Sequence, residues 1–168
     1  KLVNLLIHLA NGLLVYVLIA QLWLRLRGDG SQRGAAAFWV AAVWLLHPIN
    51  LTPVLFVVQR MTSLSAFFTL AALVLYLHGR LTDGRWRRMA MAIGLMICWP
   101  AGILAKETAV LLPLYILLCE WLVLGSFGRL ALRARYVGLA VLAAAFIAGL
   151  VILAANWSFI ESTYRVRD

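Results

Sequence analysis

The feature that most limits what this chain can fold into is a repeating pattern. Long apolar stretches alternate with short connections that hold most of its arginines. A helix rises about 1.5 Å per residue, so about 20 apolar residues cross the roughly 30 Å hydrocarbon core of a bilayer. Five stretches are long and apolar enough, and an interrupted one brings the total to six. The expected spans cover residues 2–24, 35–58 with a break at 47–53, 62–77, 89–105, 108–124 and 136–155. A hydrophobic content of 65% and a mean hydropathy of +0.96 agree, because soluble domains hold only about 45–50% apolar residues. Hydrocarbon offers the backbone no hydrogen-bond partner, so each span must be a helix or a barrel strand. The spans are uniformly apolar rather than alternating, which predicts an all-α polytopic bundle.

A net charge of +9 would suit a nucleic-acid binder only if one soluble face carried it, and no stretch is long enough to form such a face. Instead, Arg25, Arg27 and Arg33, then Arg80, Arg85, Arg87 and Arg88, then Arg129, Arg133 and Arg135 account for ten of the fifteen basic residues. These clusters follow spans one, three and five, and hence share one membrane face, which the positive-inside rule makes cytoplasmic. An anionic lipid leaflet is the partner this implies, and no nucleic acid is expected. Lys1, Gln59-Arg60, Lys106-Glu107 and the tail from Asn156 to Asp168 fall on the other side. Thirteen arginines against two lysines point to a GC-rich bacterial genome, and so to a multi-pass inner-membrane protein.

Residues 1–168 read as a single transmembrane domain without a repeat, a low-complexity segment or a soluble module. The sequence opens on Lys1 with neither a basic leader nor a small-residue cleavage site, and is expected to be a piece of a longer protein. Cys98 and Cys119 lie within apolar spans as small hydrophobes, and no disulfide or metal site is expected from them.

The informative residues are the polar ones in or near lipid. Between His47 and Pro53, two prolines five apart remove backbone donors and should break the second span. The break is either an interfacial return or a re-entrant wall of a substrate cavity. Arg60 is the only basic residue between Arg33 and Arg80, on the side the charge rule leaves depleted. It either meets a phosphate or carboxylate or snorkels to headgroups, and Thr62 or Ser63 is expected to cap the helix beginning there. Lys106-Glu107 interrupts a long uncharged run with two opposite charges that, as neighbours, cannot simply pair. It is a site or a solvated hairpin turn.

Glu120, in the inner half of the fifth span, must be protonated or paired, with a hinge arginine as the candidate partner in a structural role. Asn4, His8 and Asn11 recur at helical spacing and predict a polar stripe bonded to neighbouring helices. No phosphate loop, nucleophile elbow, metal-ligand cluster or close carboxylate pair is present.

Four segments carry a family likeness in order and spacing: Leu2 to Asn11, Leu46-His47-Pro48-Ile49, Val58 to Phe68, and Ala105 to Pro113. Together they resemble the membrane portion of GT-C type glycosyltransferases, nearest to the TMTC-like proteins related to protein O-mannosyltransferases. The final Tyr164-Arg165-Val166-Arg167-Asp168 resembles the start of the following outer loop. The resemblance implies a polyprenyl-phosphate-linked sugar as donor, transfer on the periplasmic or lumenal face, and a protein hydroxyl as acceptor. It places the key acid in an outer loop upstream of residue 1, so these residues alone are expected to be inactive. Arg60 and Lys106 would neutralise the lipid phosphate, Glu107 would orient Lys106 or the acceptor, and His47 and Gln59 are further candidates for the substrate site. A divalent metal is compatible with such a family, yet Thr62 and Ser63 stand where a related pattern has an acid, and no metal ligand is identified. The alternatives are a transporter or flippase, or a non-catalytic membrane scaffold.

Overall fold

The computed structural model of the chain describes residues 2–82 and 84–124. The expected sixth span, the third arginine hinge and the tail lie outside the described residues, as do Lys1 and Asp83. Among the described residues every element is helical: α1 (Leu2–Arg27), α2 (Gln32–Leu46), α3 (Leu51–Leu55), α4 (Arg60–Leu81), α5 (Arg85–Ala105) and α6 (Leu112–Leu118). Single 3₁₀ turns at Pro48–Asn50, Val57–Gln59 and Glu107–Leu111 join them, and α6 runs into a π-helical turn at Cys119–Leu124.

Four segments are long and apolar enough to cross a bilayer: Leu2–Arg27, Arg60–Leu81, Arg85–Ala105 and Glu107–Leu124. Gln32–Leu46 with Pro48–Leu55, bent by 55° between them, makes a fifth if the two count as one span. This is consistent with a membrane protein. The bend falls where the prolines predict it: α2 stops at Leu46 and His47 turns extended, because a residue before proline is pushed out of the helical region.

Several helices outrun the apolar limits read from the sequence. Helix α4 starts at Arg60 rather than Thr62 and ends at Leu81, and α5 takes in Arg85, Arg87 and Arg88. Hydropathy marks the hydrocarbon portion of a span, whereas helix continues into the headgroup layer, where arginine stems lie along it and their heads reach water.

Helix α1 runs parallel to α4, since Asn4 meets residues 53–60 and Asn11 bonds Ser63. Helices α2 and α5 run back antiparallel to them, Leu45 lying against Gly12 and Met91 against Gly79. Glycines allow these approaches: a Cβ on Gly79 would stand 2.6 Å from that of Met91, so any side chain there would force α4 and α5 apart. The core lies along α4, where Ala72 and Leu73 pack with Leu112 while Tyr76 and Leu77 pack with Leu124. Helix α5 closes this seam with Leu95, Cys98 and Trp99 and turns Trp86, Met96 and Leu104 outward.

This alternation gathers Arg25, Arg27, Arg33, Arg80, Arg85, Arg87 and Arg88 at one end of the bundle. Arg60 and Lys106 are the basic residues at the other end among those described.

Candidate functional site

At the arginine-poor end the broken second span creates a problem that α1 solves. Helix α3 is barely one turn long, so its last carbonyls have no helical partners. Asn4, buried in the first turn of α1, donates from Nδ2 toward the carbonyls of Pro53 (3.3 Å), Val54 (3.4 Å) and Phe56 (3.1 Å). One turn along, His8 Nε2 lies 3.1 Å from the Leu45 carbonyl near the end of α2, a contact that requires the proton on Nε2. Its ring stacks on Trp44 at 5.3 Å. Asn11 Nδ2 donates to the Ser63 carbonyl at 3.0 Å. The expected polar stripe thus does bond neighbouring elements.

Arg60 opens α4 half-buried, and its Nε donates to Asn4 Oδ1 at 3.0 Å. Lys106 sits in extended backbone between α5 and the next 3₁₀ turn, and its Nζ donates to Thr62 Oγ1 at 3.0 Å. Thr62 and Ser63 do not cap α4, which begins two residues earlier at Arg60 with no side-chain cap. The Thr62 hydroxyl faces Lys106 instead. Arg60, bonded toward α1, and Lys106, reaching Thr62 from the end of α5, therefore both lie at the first turn of α4. Neither forms an ion pair among the described residues. Ser65 supports the second, its Oγ lying 3.4 Å from the Lys106 carbonyl.

The other candidates are less tightly built in. Glu107 is exposed and pairs with nothing among the described residues, so Thr62 rather than Glu107 orients Lys106. Extended backbone at Lys106 sends the two side chains apart. His47 is exposed, its Nδ1 accepting the Ile49 N–H at 3.2 Å. It borders a shallow, mainly apolar depression of about 410 Å³ with Val40, Val43, Trp44, Ile49 and Asn50. The half-buried Gln59 bonds only through its backbone among the described residues. The structure thus draws Arg60 and Lys106 to one helix end and leaves His47 and Glu107 outside that arrangement.

Sequence reasoning missed Asn4, Thr62 and Ser65 as the residues that aim the two cations. The signal for Asn4 was its place in the 4-8-11 stripe, and for Thr62 and Ser65 a hydroxyl cluster opening an apolar helix.

At the opposite end Glu120 receives Arg80 through both carboxylate oxygens, at 2.7 and 3.1 Å, and also accepts the Tyr76 hydroxyl. The expected pairing of Glu120 with a hinge arginine is present. Arg25 caps the Leu124 carbonyl at 3.1 Å, and Arg33 spans Asp29 and the Ala20 carbonyl. No group of three or more His, Cys, Asp or Glu residues comes together among those described, so this donor set does not make a divalent-ion site.

Comparison with protein-family models, with curated proteins and with solved structures gives no match to this chain.

Proposed function

We propose that this chain is part of the membrane domain of a GT-C type glycosyltransferase. It moves a sugar from a polyprenyl-phosphate carrier to an acceptor, a protein hydroxyl, on the periplasmic or lumenal face of a bacterial inner membrane. The arginine-rich end is the cytoplasmic one. The observation that supports this reading best is the pair of cations at the arginine-poor end, each steered by a neutral oxygen and neither neutralised by a carboxylate among the described residues. A cation held this way keeps its full charge for an anion, and an interfacial phosphate is the anion that a membrane supplies.

In the transfer, the acceptor oxygen forms a bond to the anomeric carbon while the bond from that carbon to the carrier phosphate breaks. The electron pair stays on the phosphate oxygen, and the acceptor proton passes to a base contributed from outside residues 1–168. Arg60 and Lys106 stabilise the negative charge as it grows on the leaving phosphate, a preorganised electrostatic role.

The test uses the complete protein, with Arg60→Ala and Lys106→Ala assayed for transfer from a polyprenyl-linked donor. Loss of about 100-fold in turnover is expected from the Arg60 change, the scale on which removing one such preorganised donor acts. Unaltered turnover in both variants discards the phosphate role. The 55° bend of the second span also suits a lipid flippase. Carrier movement between leaflets without sugar transfer would select that alternative.

A further inference from the structure

Among the described residues, Asn4 holds more polar partners than any other at the arginine-poor end, and it is 1% exposed. Its orientation follows from chemistry. Carbonyls only accept and a guanidinium only donates, so a reversed amide would set its oxygen against three carbonyl oxygens and its NH₂ against the Arg60 Nε–H. The Nδ2 face closes the end of α3, and the Oδ1 face positions Arg60. One rigid amide joins the broken span to the cation.

We propose that Asn4 is a positioning residue that couples the conformation of the broken segment, residues 47–59, to anion binding at Arg60. The inference rests on the reading of Arg60 as a phosphate-holding cation. A neutral acceptor on Nε occupies one of the five guanidinium donors and leaves the terminal NH₂ groups to face an oxyanion. An anion on those groups immobilises the guanidinium, so the Nε–H bond to Asn4 forms at a smaller entropic cost. The amide, held in one orientation, then keeps its bonds to the carbonyls of Pro53, Val54 and Phe56 for more of the time. Linkage makes the effect mutual: an ordered segment raises anion affinity, and a bound anion orders the segment.

The experiment uses the full-length protein in nanodiscs, with Cys98 and Cys119 replaced by alanine and farnesyl phosphate as the probe. Two quantities are read: probe affinity, and the rate at which a maleimide labels Ile49→Cys, a position 72% exposed in the broken segment. With Asn4 in place, the probe should slow labelling about threefold, the scale of a coupling near 0.6 kcal/mol. A bound probe that leaves the rate unchanged overturns the coupling without recourse to any Asn4 variant.

Asn4→Ala and Asn4→Asp both delete the donors to α3, but only the second sets a carboxylate on Arg60. The proposal expects Asn4→Asp to bind the probe at least tenfold more weakly than Asn4→Ala, because the new ion pair competes for the guanidinium. Equal losses would reduce Asn4 to a cap of α3 and overturn its link to Arg60. Arg60→Ala separates the two levels: wild-type probe affinity in that variant overturns the phosphate role itself, whereas lost affinity beside unaffected Asn4 variants overturns the coupling alone.

Discussion

At one end of the bundle Arg80 meets a carboxylate through two hydrogen bonds while a tyrosine hydroxyl fills in beside it; at the other, Arg60 and Lys106 each meet a single neutral oxygen. Both ends thus spend polar side chains on holding cations in fixed positions. They differ in what remains afterwards. The Arg80–Glu120 pair is closed, its charges cancelling within the fold, and Glu120 is only 14% exposed. Among the described residues, positive charge at the arginine-poor end is aimed and left open. A closed pair holds helices together, whereas an open cation can still take up an anion, as the proposed function requires.

The contrast can be broken most sharply by exchanging functions between the ends. Arg60→Ala should lower sugar transfer about 100-fold in the complete protein. Arg80→Ala, measured per folded molecule, should leave turnover within about twofold, since that residue meets the carboxylate of Glu120 at the far end of α4. Stability should respond in the opposite order. Glu120→Ala deprives both Arg80 and Tyr76 of a shared acceptor and should cost about 2–3 kcal/mol, the scale of a lost hydrogen bond to a charged group, read from unfolding in mixed detergent micelles. Arg60→Ala should cost less, about 1–2 kcal/mol in the same assay, because it removes one bond and leaves the buried Asn4 Oδ1 without that donor.

Two smaller effects sharpen the picture. Gly79→Ala should destabilise by about 1–2 kcal/mol, because the added methyl collides with the Met91 Cβ rather than with a flexible tip. Thr62→Val keeps the shape of the side chain and removes the oxygen that steers Lys106. It should lower transfer about three- to fivefold and unfolding free energy by about 1 kcal/mol, the scale of one lost hydrogen bond.

Much of the fold was legible in the sequence because lipid imposes a simple rule: apolar length fixes a span, and proline fixes where it breaks. The stop at Leu46 and the arginine clusters at one end follow from residues that are neighbours in the chain. The helix limits at Arg60 and Arg85 did not, since a hydropathy window sees the hydrocarbon layer and not the hydrogen-bonded helix that continues beyond it. Of the site, Arg60 and Lys106 stood out because charges near lipid are conspicuous. Asn4 and Thr62 were hidden in plain view, as an amide or a hydroxyl in a span has many possible bonds, and its partner lies on another helix. The partner of Glu120 was foreseeable only as a class of residue, and the particular choice of Arg80 depends on how α4 and the last span align.

The bond between Asn4 and Arg60 joins residues 56 positions apart, and that separation sets a timetable. As the chain leaves the ribosome, α1 and α2 can form their glycine-mediated contact at Gly12 and Leu45 before Arg60 has emerged. Until then the Asn4 amide has no guanidinium to accept from, and a membrane inserting this protein must tolerate that unfinished amide. Maturation of the arginine-poor end therefore waits on delivery of α4, so a nascent chain arrested before residue 60 emerges would carry the scaffold of the site without its charge.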